Sequence, residues 1–275
     1  MECHQLNTIT LTRTDTCEMH DCHFEVTFVR HIDFFDEGQH LDGPRSGGCV
    51  ECAKEKSAKL EAERKAREKR EAANSQRELQ YRIDASGIPS RFLECSLDNY
   101  VADHPGQKHA LDVASDYVAN FGEHVHSGCN LLFTGKPGCG KTHLAAAIGM
   151  AVIEMKGNVR YTTVADMVRR FTDTWKRHGE SESAAMNDLT GADLLILDEA
   201  GVQSGSKVEL DYITQVIDGR YRQQLPTLVI SNLSIKDITP LLGDRSVDRL
   251  RDSGSQLVAF GWESYRGKKG VRNAA

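Results

Sequence analysis

Long apolar runs are missing from this 275-residue chain: it contains no stretch of roughly 18 apolar residues and no basic cluster followed by an apolar one at its start. Neither a membrane span nor a secretory leader is expected, and the chain reads as cytoplasmic. Large apolar residues are scarce in residues 1–53, too few for an independent core, and residues 53–82 hold neither glycine nor proline. No internal repeat is visible. The formal net charge is −6, which excludes a uniformly basic surface and leaves any nucleic-acid contact to a local patch. In a cytosolic chain, eight cysteines read as metal ligands or inert core residues rather than disulfides.

Charge and texture divide what is present into three parts. Residues 1–53 carry ten acidic and three basic side chains and are rich in Cys, His and Gly. A short strand is expected at Phe24–Arg30, and something must staple the segment in place of a core. Residues 54–82 carry ten basic and six acidic side chains and read as an exposed helix supported by i,i+4 charge pairs, serving as a linker or a docking helix. From about Ile88 short apolar runs at Asn130–Thr134, Val159–Thr162, Leu194–Asp198, Thr227–Ser231 and Leu257–Gly261 alternate with amphipathic stretches. That is the pattern of an α/β domain whose five-stranded parallel sheet is covered on both faces. The expected organisation is therefore 1–53, 54–84 and 85–275.

The run Leu131-Leu132-Phe133-Thr134 leads into Gly135-Lys136-Pro137-Gly138-Cys139-Gly140-Lys141-Thr142. A strand, a glycine-rich turn and a helix start in that order make a phosphate-binding loop. The glycines let backbone N–H groups turn toward phosphate, and the dipole of the following helix favours negative charge. Lys141 is placed for the β- and γ-phosphates of ATP, and the Thr142 hydroxyl for Mg²⁺. A second apolar strand runs straight into Asp198-Glu199, at the sheet edge where open α/β folds bind ligands. Asp198 suits Mg²⁺, and Glu199 suits orienting and deprotonating an attacking water. The next strand ends at Asn232, which either bonds that water or the γ-phosphate, or caps the turn; in order and spacing it resembles the sensor 1 of AAA+ ATPases.

From about Gly87 to Arg266 the chain resembles the DnaC family of bacterial and phage helicase loaders. The shared stretches are Phe133–Ile148, Thr163–Asp166, Asn187–Leu189, Leu194–Gln203, Gly243–Leu250 and Trp262–Arg266. The resemblance implies an AAA+ domain preceded by a partner-binding region. It makes Arg249 an arginine finger reaching a neighbouring subunit's ATP, which implies self-association through the ATP sites, and Arg266 a sensor 2 residue. It also implies that residues 1–82 grip a DnaB-type helicase hexamer, and that single-stranded DNA meets positions matching Trp175, Ser206 and Val208. The family commonly has an aromatic residue at the last of these. Val164, Met167, Val168, Phe171 and Trp175 share one helical face, so core packing is the alternative for Trp175. An IstB-like helper ATPase for transposition shares the motor and remains the alternative function.

Cys17-x-x-His20 and Cys49-x-x-Cys52 are two short-spaced ligand pairs suited to tetrahedral Zn²⁺. Cys22, His23, Cys3 and His4 are spare candidates. Phage relatives of the resembling family carry a similar module in front of the ATPase domain.

Overall fold

A computed structural model describes residues 8–31, 45–46, 48–174, 181–202, 206–252 and 254–265. Contacts divide the chain into two compact units, residues 1–75 and 76–275.

In the first unit β1 (Thr8–Cys17) and β2 (Cys22–His31) form an antiparallel hairpin, and β3 (Arg45–Ser46) pairs with β2 at Thr27 and Phe28. The strand expected at Phe24–Arg30 is present and longer. β1 was not expected, yet its threonines alternate with Ile9 and Leu11, and a β-branched residue at every second position suits a pleated ribbon. The turn places Cys17 opposite Cys22, with Asp21 in the left-handed region at φ +46°. Among the described residues of this unit only Cys17, Val26 and Cys49 are buried, so two of its three most enclosed side chains are thiols.

Helix α1 runs over Val50–Ser86, starting earlier than the charge pattern alone suggests, so that Cys52 sits in its first turn. Ion pairs such as Glu61–Lys65 at 2.8 Å and Arg67–Glu71 at 3.5 Å line its exposed length; each contributes only about 0.3–0.5 kcal/mol. The division between the units falls inside this helix. Beyond it, Leu79 and Ile83 pack against the core of the second unit. Among the described residues no helix is long and apolar enough to cross a membrane.

The second unit continues with α2 (Pro105–Ala119), α3 (Phe121–Ser127), β4 (Leu131–Gly135), α4 (Lys141–Glu154), β5 (Val159–Thr163) and α5 (Val164–Thr174). Then come α6 (Glu182–Thr190), β6 (Leu194–Ala200), α7 (Lys207–Arg222), β7 (Thr227–Ser231), α8 (Ile235–Leu242), α9 (Asp244–Leu250) and β8 (Gln256–Phe260). All five expected strands are present, each within two residues of its expected ends, and they form one parallel sheet in the order β5-β6-β7-β4-β8.

Side chains alternate across a strand, and here the alternation divides the core in two. Leu131, Phe133, Ile196, Leu228, Ile230, Val258 and Phe260 face a cluster with α2 and α4, including Ala114, Leu144, Ile148 and Val152. Leu132, Leu195, Leu197 and Val229 face another with α5, α7 and α9, including Met167, Phe171, Ile213, Val216 and Val247. Near-continuous apolar strands are what a sheet covered on both faces demands. The sheet therefore holds the carboxyl ends of β4, β6 and β7 rigidly side by side.

At the opposite end of the sheet Arg220 of α7 is fully buried. Its guanidinium donates to the carbonyls of Leu189 (2.7 Å), Ala192 (2.8 Å) and Pro226 (2.5 Å) and to the Thr227 hydroxyl (3.0 Å). Burial pushes its pKa down to about 9. One side chain thus satisfies the carbonyls of the loops entering β6 and β7. Arg220→Met keeps the bulk but orphans those carbonyls, and is expected to cost at least about 3 kcal/mol in urea denaturation; a loss below about 1 kcal/mol would mean that the carbonyls find other donors.

Candidate active site and thiol cluster

β4 delivers the chain into the glycine loop, where Gly135, Gly138 and Gly140 adopt φ of +125°, +79° and +92°, values that L side chains rarely tolerate. At Gly140 a Cβ would also sit 2.8 Å from the Tyr100 ring. α4 begins immediately afterwards without a side-chain cap, which leaves its first N–H groups for an anion. The buried Lys141 ammonium donates to the carbonyls of Gly135 (2.6 Å) and Lys136 (2.7 Å).

The segment after β8 braces this loop. Lys136 N–H donates to Phe260 O (3.1 Å), Tyr265 N–H to Gly138 O (2.9 Å), and the Trp262 indole to Cys139 O (3.0 Å). The Cys139 thiol donates back to Trp262 O at 2.9 Å. Cys139 is thus a structural residue of the loop. Arg266 lies outside the described residues.

Asp198 and Glu199 lie just before the last residue of β6, Ala200. Successive strand residues would point to opposite faces, but β6 carries one extra residue against β7 between Leu197 and Ala200, and Glu199 sits at φ +55°. This bulge lets both acids line the same cleft of about 660 Å³, together with Lys141, Thr142, Tyr161 and Asn232. Asp198 is buried and Glu199 exposed. The Thr142 hydroxyl donates to Asp198 Oδ2 at 3.1 Å and the Glu199 N–H to Oδ1 at 2.6 Å. A hydroxyl and a carboxylate converging at the mouth of a phosphate loop form the all-oxygen donor set that Mg²⁺ prefers. Tyr161, from β5, donates to Asp198 Oδ2 at 2.5 Å; burial and the Asp198 charge raise its pKa above the usual phenol value. Sequence reasoning missed Tyr161, although its place near the carboxyl end of a parallel strand is a signal in itself.

Arg249, on α9, does not line that cleft. It pairs with Asp218 of α7, which also binds Arg245 at 3.2 Å, and lies over the Tyr221 ring at 5.2 Å. Among the residues matched to DNA contacts, Trp175 lies outside the described residues. Ser206 caps α7, accepting from Glu209 N–H at 3.3 Å, and Val208 is exposed in the first turn of that helix. On α5, Val164, Met167 and Phe171 are buried, so the helix packs its apolar stripe into the core.

In the first unit the ligand atoms of Cys17, His20, Cys49 and Cys52 lie within 4.8 Å of one another. Cys17 Sγ is 3.5 Å from Cys52 Sγ, and His20 Nδ1 is 3.6, 3.6 and 3.3 Å from the thiols of Cys17, Cys49 and Cys52. A tetrahedral zinc with its usual bond lengths has edges of about 3.6–3.8 Å. Two turns, one in the β1–β2 hairpin and one opening α1, thus present four donors with the spacing of one tetrahedron. The other ring nitrogen of His20 meets Glu55 at 3.1 Å, the carboxylate–histidine pairing that orients metal-bound imidazole. The Cys52 thiol is pushed up to about 12 by its hydrogen bond with Cys17, while the His20 contact lowers Cys17 to about 6. Crowded donors that compete for protons are the condition a divalent cation relieves. Of the spare candidates, Cys22 Sγ stands 3.2 Å from Cys49 Sγ but outside the four-atom group; the His23 ring bonds Thr16 Oγ1 at 2.8 Å. Cys3 and His4 lie outside the described residues.

Residues 57–273 match the IstB-like ATP binding protein family. The chain belongs to that family. Among its relatives, the replicative helicase loader DnaC of Escherichia coli (strain K12) is 40% identical over 198 residues, covering 72% of this chain and 80% of the relative. DnaC of Buchnera aphidicola subsp. Acyrthosiphon pisum is 37% identical over 194 residues, 70% of this chain and 78% of the relative. The crystal structure of the DnaC helicase loader superposes with a TM-score of 0.57 at 24% identity, over 62% of this chain and 99% of that one. AMPPCP-bound DnaA from Aquifex aeolicus gives 0.56 at 20%, over 68% and 55%. At these identities the solved structures establish the fold alone. ATP binding follows from the family, whose match starts at residue 57 and so leaves the thiol cluster outside it.

Proposed function

We propose that this IstB-family chain is an ATP-hydrolysing loader that places a DnaB-type replicative helicase hexamer on single-stranded DNA during DNA replication. The observation that carries this reading is the 40% identity to a replicative helicase loader over 80% of that protein's length; it favours loading over an IstB-like role in transposition.

The cleft supports hydrolysis. Glu199, exposed at the mouth, takes a proton from water as the water oxygen attacks the γ-phosphorus; the bond to the β–γ bridging oxygen breaks, leaving ADP and phosphate. Lys141 and the loop N–H groups hold the phosphates, and Asn232 steadies the water. Thr142 and Asp198 would hold Mg²⁺, which when bound would supply charge neutralisation on the phosphate oxygens. Arg249, turned away from its own cleft, completes a neighbour's site, and Arg266 serves its own. The DNA path runs by Trp175 and Ser206. Residues 1–53 form a zinc module on Cys17, His20, Cys49 and Cys52, residues 54–84 a helical connector, and residues 1–82 together contact the helicase.

Copurification with a DnaB-type helicase tests the central claim; a chain that binds a transposase instead overturns it. Glu199→Gln is expected to keep ATP affinity, lose at least about 100-fold in turnover and accumulate the helicase complex, whereas normal turnover removes Glu199 from the mechanism. Arg249→Ala should bind ATP normally yet abolish the rise of specific ATPase rate with protein concentration; an unchanged rise would assign Arg249 to its ion pair alone. Metal analysis should find one zinc per chain, lost in Cys52→Ser, and chelation should expose the β1–β2 hairpin to protease. Full protection without zinc argues against the metal.

A further inference from the structure

One carboxylate at the centre of the cleft is held from three directions. Asp198 Oδ1 accepts from the Glu199 N–H, and Oδ2 accepts from both the Thr142 and Tyr161 hydroxyls. Thr142 belongs to the phosphate loop and the Glu199 N–H to the bulge, so both donors come with the nucleotide motifs. The third comes from a neighbouring strand that carries no such motif. Tyr161 pairs in register with Ile196, two residues before Asp198, and its ring packs against the core that contains Ile196.

Packing alone would be served by phenylalanine, which keeps the ring that meets the apolar core and lacks only the hydroxyl. A half-buried phenol oxygen costs free energy unless it is bonded, and this one is bonded to the acid of the second motif. The Tyr100 and Tyr117 hydroxyls instead donate to the main-chain carbonyls of Cys139 and Cys129. A carboxylate has about four acceptor sites. With three filled from fixed elements, its rotation is stopped and its remaining capacity has one direction.

We propose that Tyr161 is a positioning residue of the magnesium–nucleotide site, fixing the orientation of Asp198 so that its free acceptor capacity faces the metal's coordination shell. The proposal rests on the ATPase reading, which gives Asp198 to Mg²⁺. Outer-shell partners of this kind change metal affinity by about 10- to 100-fold when removed.

The test measures binding of a fluorescent ADP to the full-length chain across a magnesium series and in EDTA. Tyr161→Phe is expected to need about tenfold more Mg²⁺ for the same affinity, with EDTA binding and melting temperature unchanged. In an Asp198→Asn background the same substitution should add nothing, because the interaction it removes is already altered. An unchanged magnesium requirement, or an equal loss with and without magnesium, overturns the positioning role. A wild-type chain whose nucleotide binding ignores magnesium overturns the ATPase reading itself, so the two failures are told apart.

Discussion

The phosphate loop can cradle an anion only if three glycines stay in left-handed backbone, and the loop is held there from the side. β8 lies parallel to β4 with Phe260 opposite Gly135, and the chain leaving β8 returns three backbone or indole hydrogen bonds to Lys136, Gly138 and Cys139. A Cβ at Gly135 would strike the Phe260 backbone, so the two strands approach as closely as they do only because that residue is glycine. The loop's shape is thus a property of the sheet edge. It also ties the Trp262–Tyr265 segment to the backbone of the glycine loop.

The same edge explains what sequence could and could not reveal. Five apolar runs of strand length, each bounded by turn residues, have few ways to be buried on two faces, and the parallel sheet followed from them. The motif residues were legible because strand, glycine turn and helix start occur in one unbroken stretch. Tyr161, Glu55 and Arg220 were not, because each acts on a partner 28 or more residues away that only the fold brings near. The bulge at Glu199 was hidden for another reason: the sequence Leu197-Asp198-Glu199-Ala200 looks like ordinary alternation, and the left-handed φ appears only in the register against β7. β1 was a missed signal, since its threonine alternation is a strand pattern that the search for apolar runs passes over.

The first unit obeys different physics. With one apolar and two thiol side chains buried among its described residues, it has little hydrophobic free energy to offset the entropy of ordering its chain. Under the zinc proposal, four donors at tetrahedral spacing would provide the missing term, because ligands brought together only on folding convert binding free energy into folding free energy. On that reading α1 is anchored by coordination at its start, through Cys52, and by apolar packing of Leu79 and Ile83 at its end, with a solvated, ion-paired stretch between. Residues Lys54–Gln76 of that helix are exposed throughout, available to a partner without disturbing either anchor.

The proposed role of Arg249 would join hydrolysis to assembly by an exchange of partners. The Arg249 guanidinium is paired within its own chain with Asp218 and lies over the Tyr221 ring, with little of it exposed. An ion pair with most of both side chains covered returns little net stability, since desolvation offsets the attraction, yet breaking it without a substitute is costly. Arg249 can therefore leave Asp218 only for another anion held in comparable geometry, as a neighbouring subunit's γ-phosphate would be under the proposed assembly. Arg245 remains beside Asp218 at 3.2 Å, so the carboxylate left behind keeps a cation. The proposed finger thus has a resting partner, a working partner and a stand-in, and its transfer costs least when a neighbour carrying ATP is already in place.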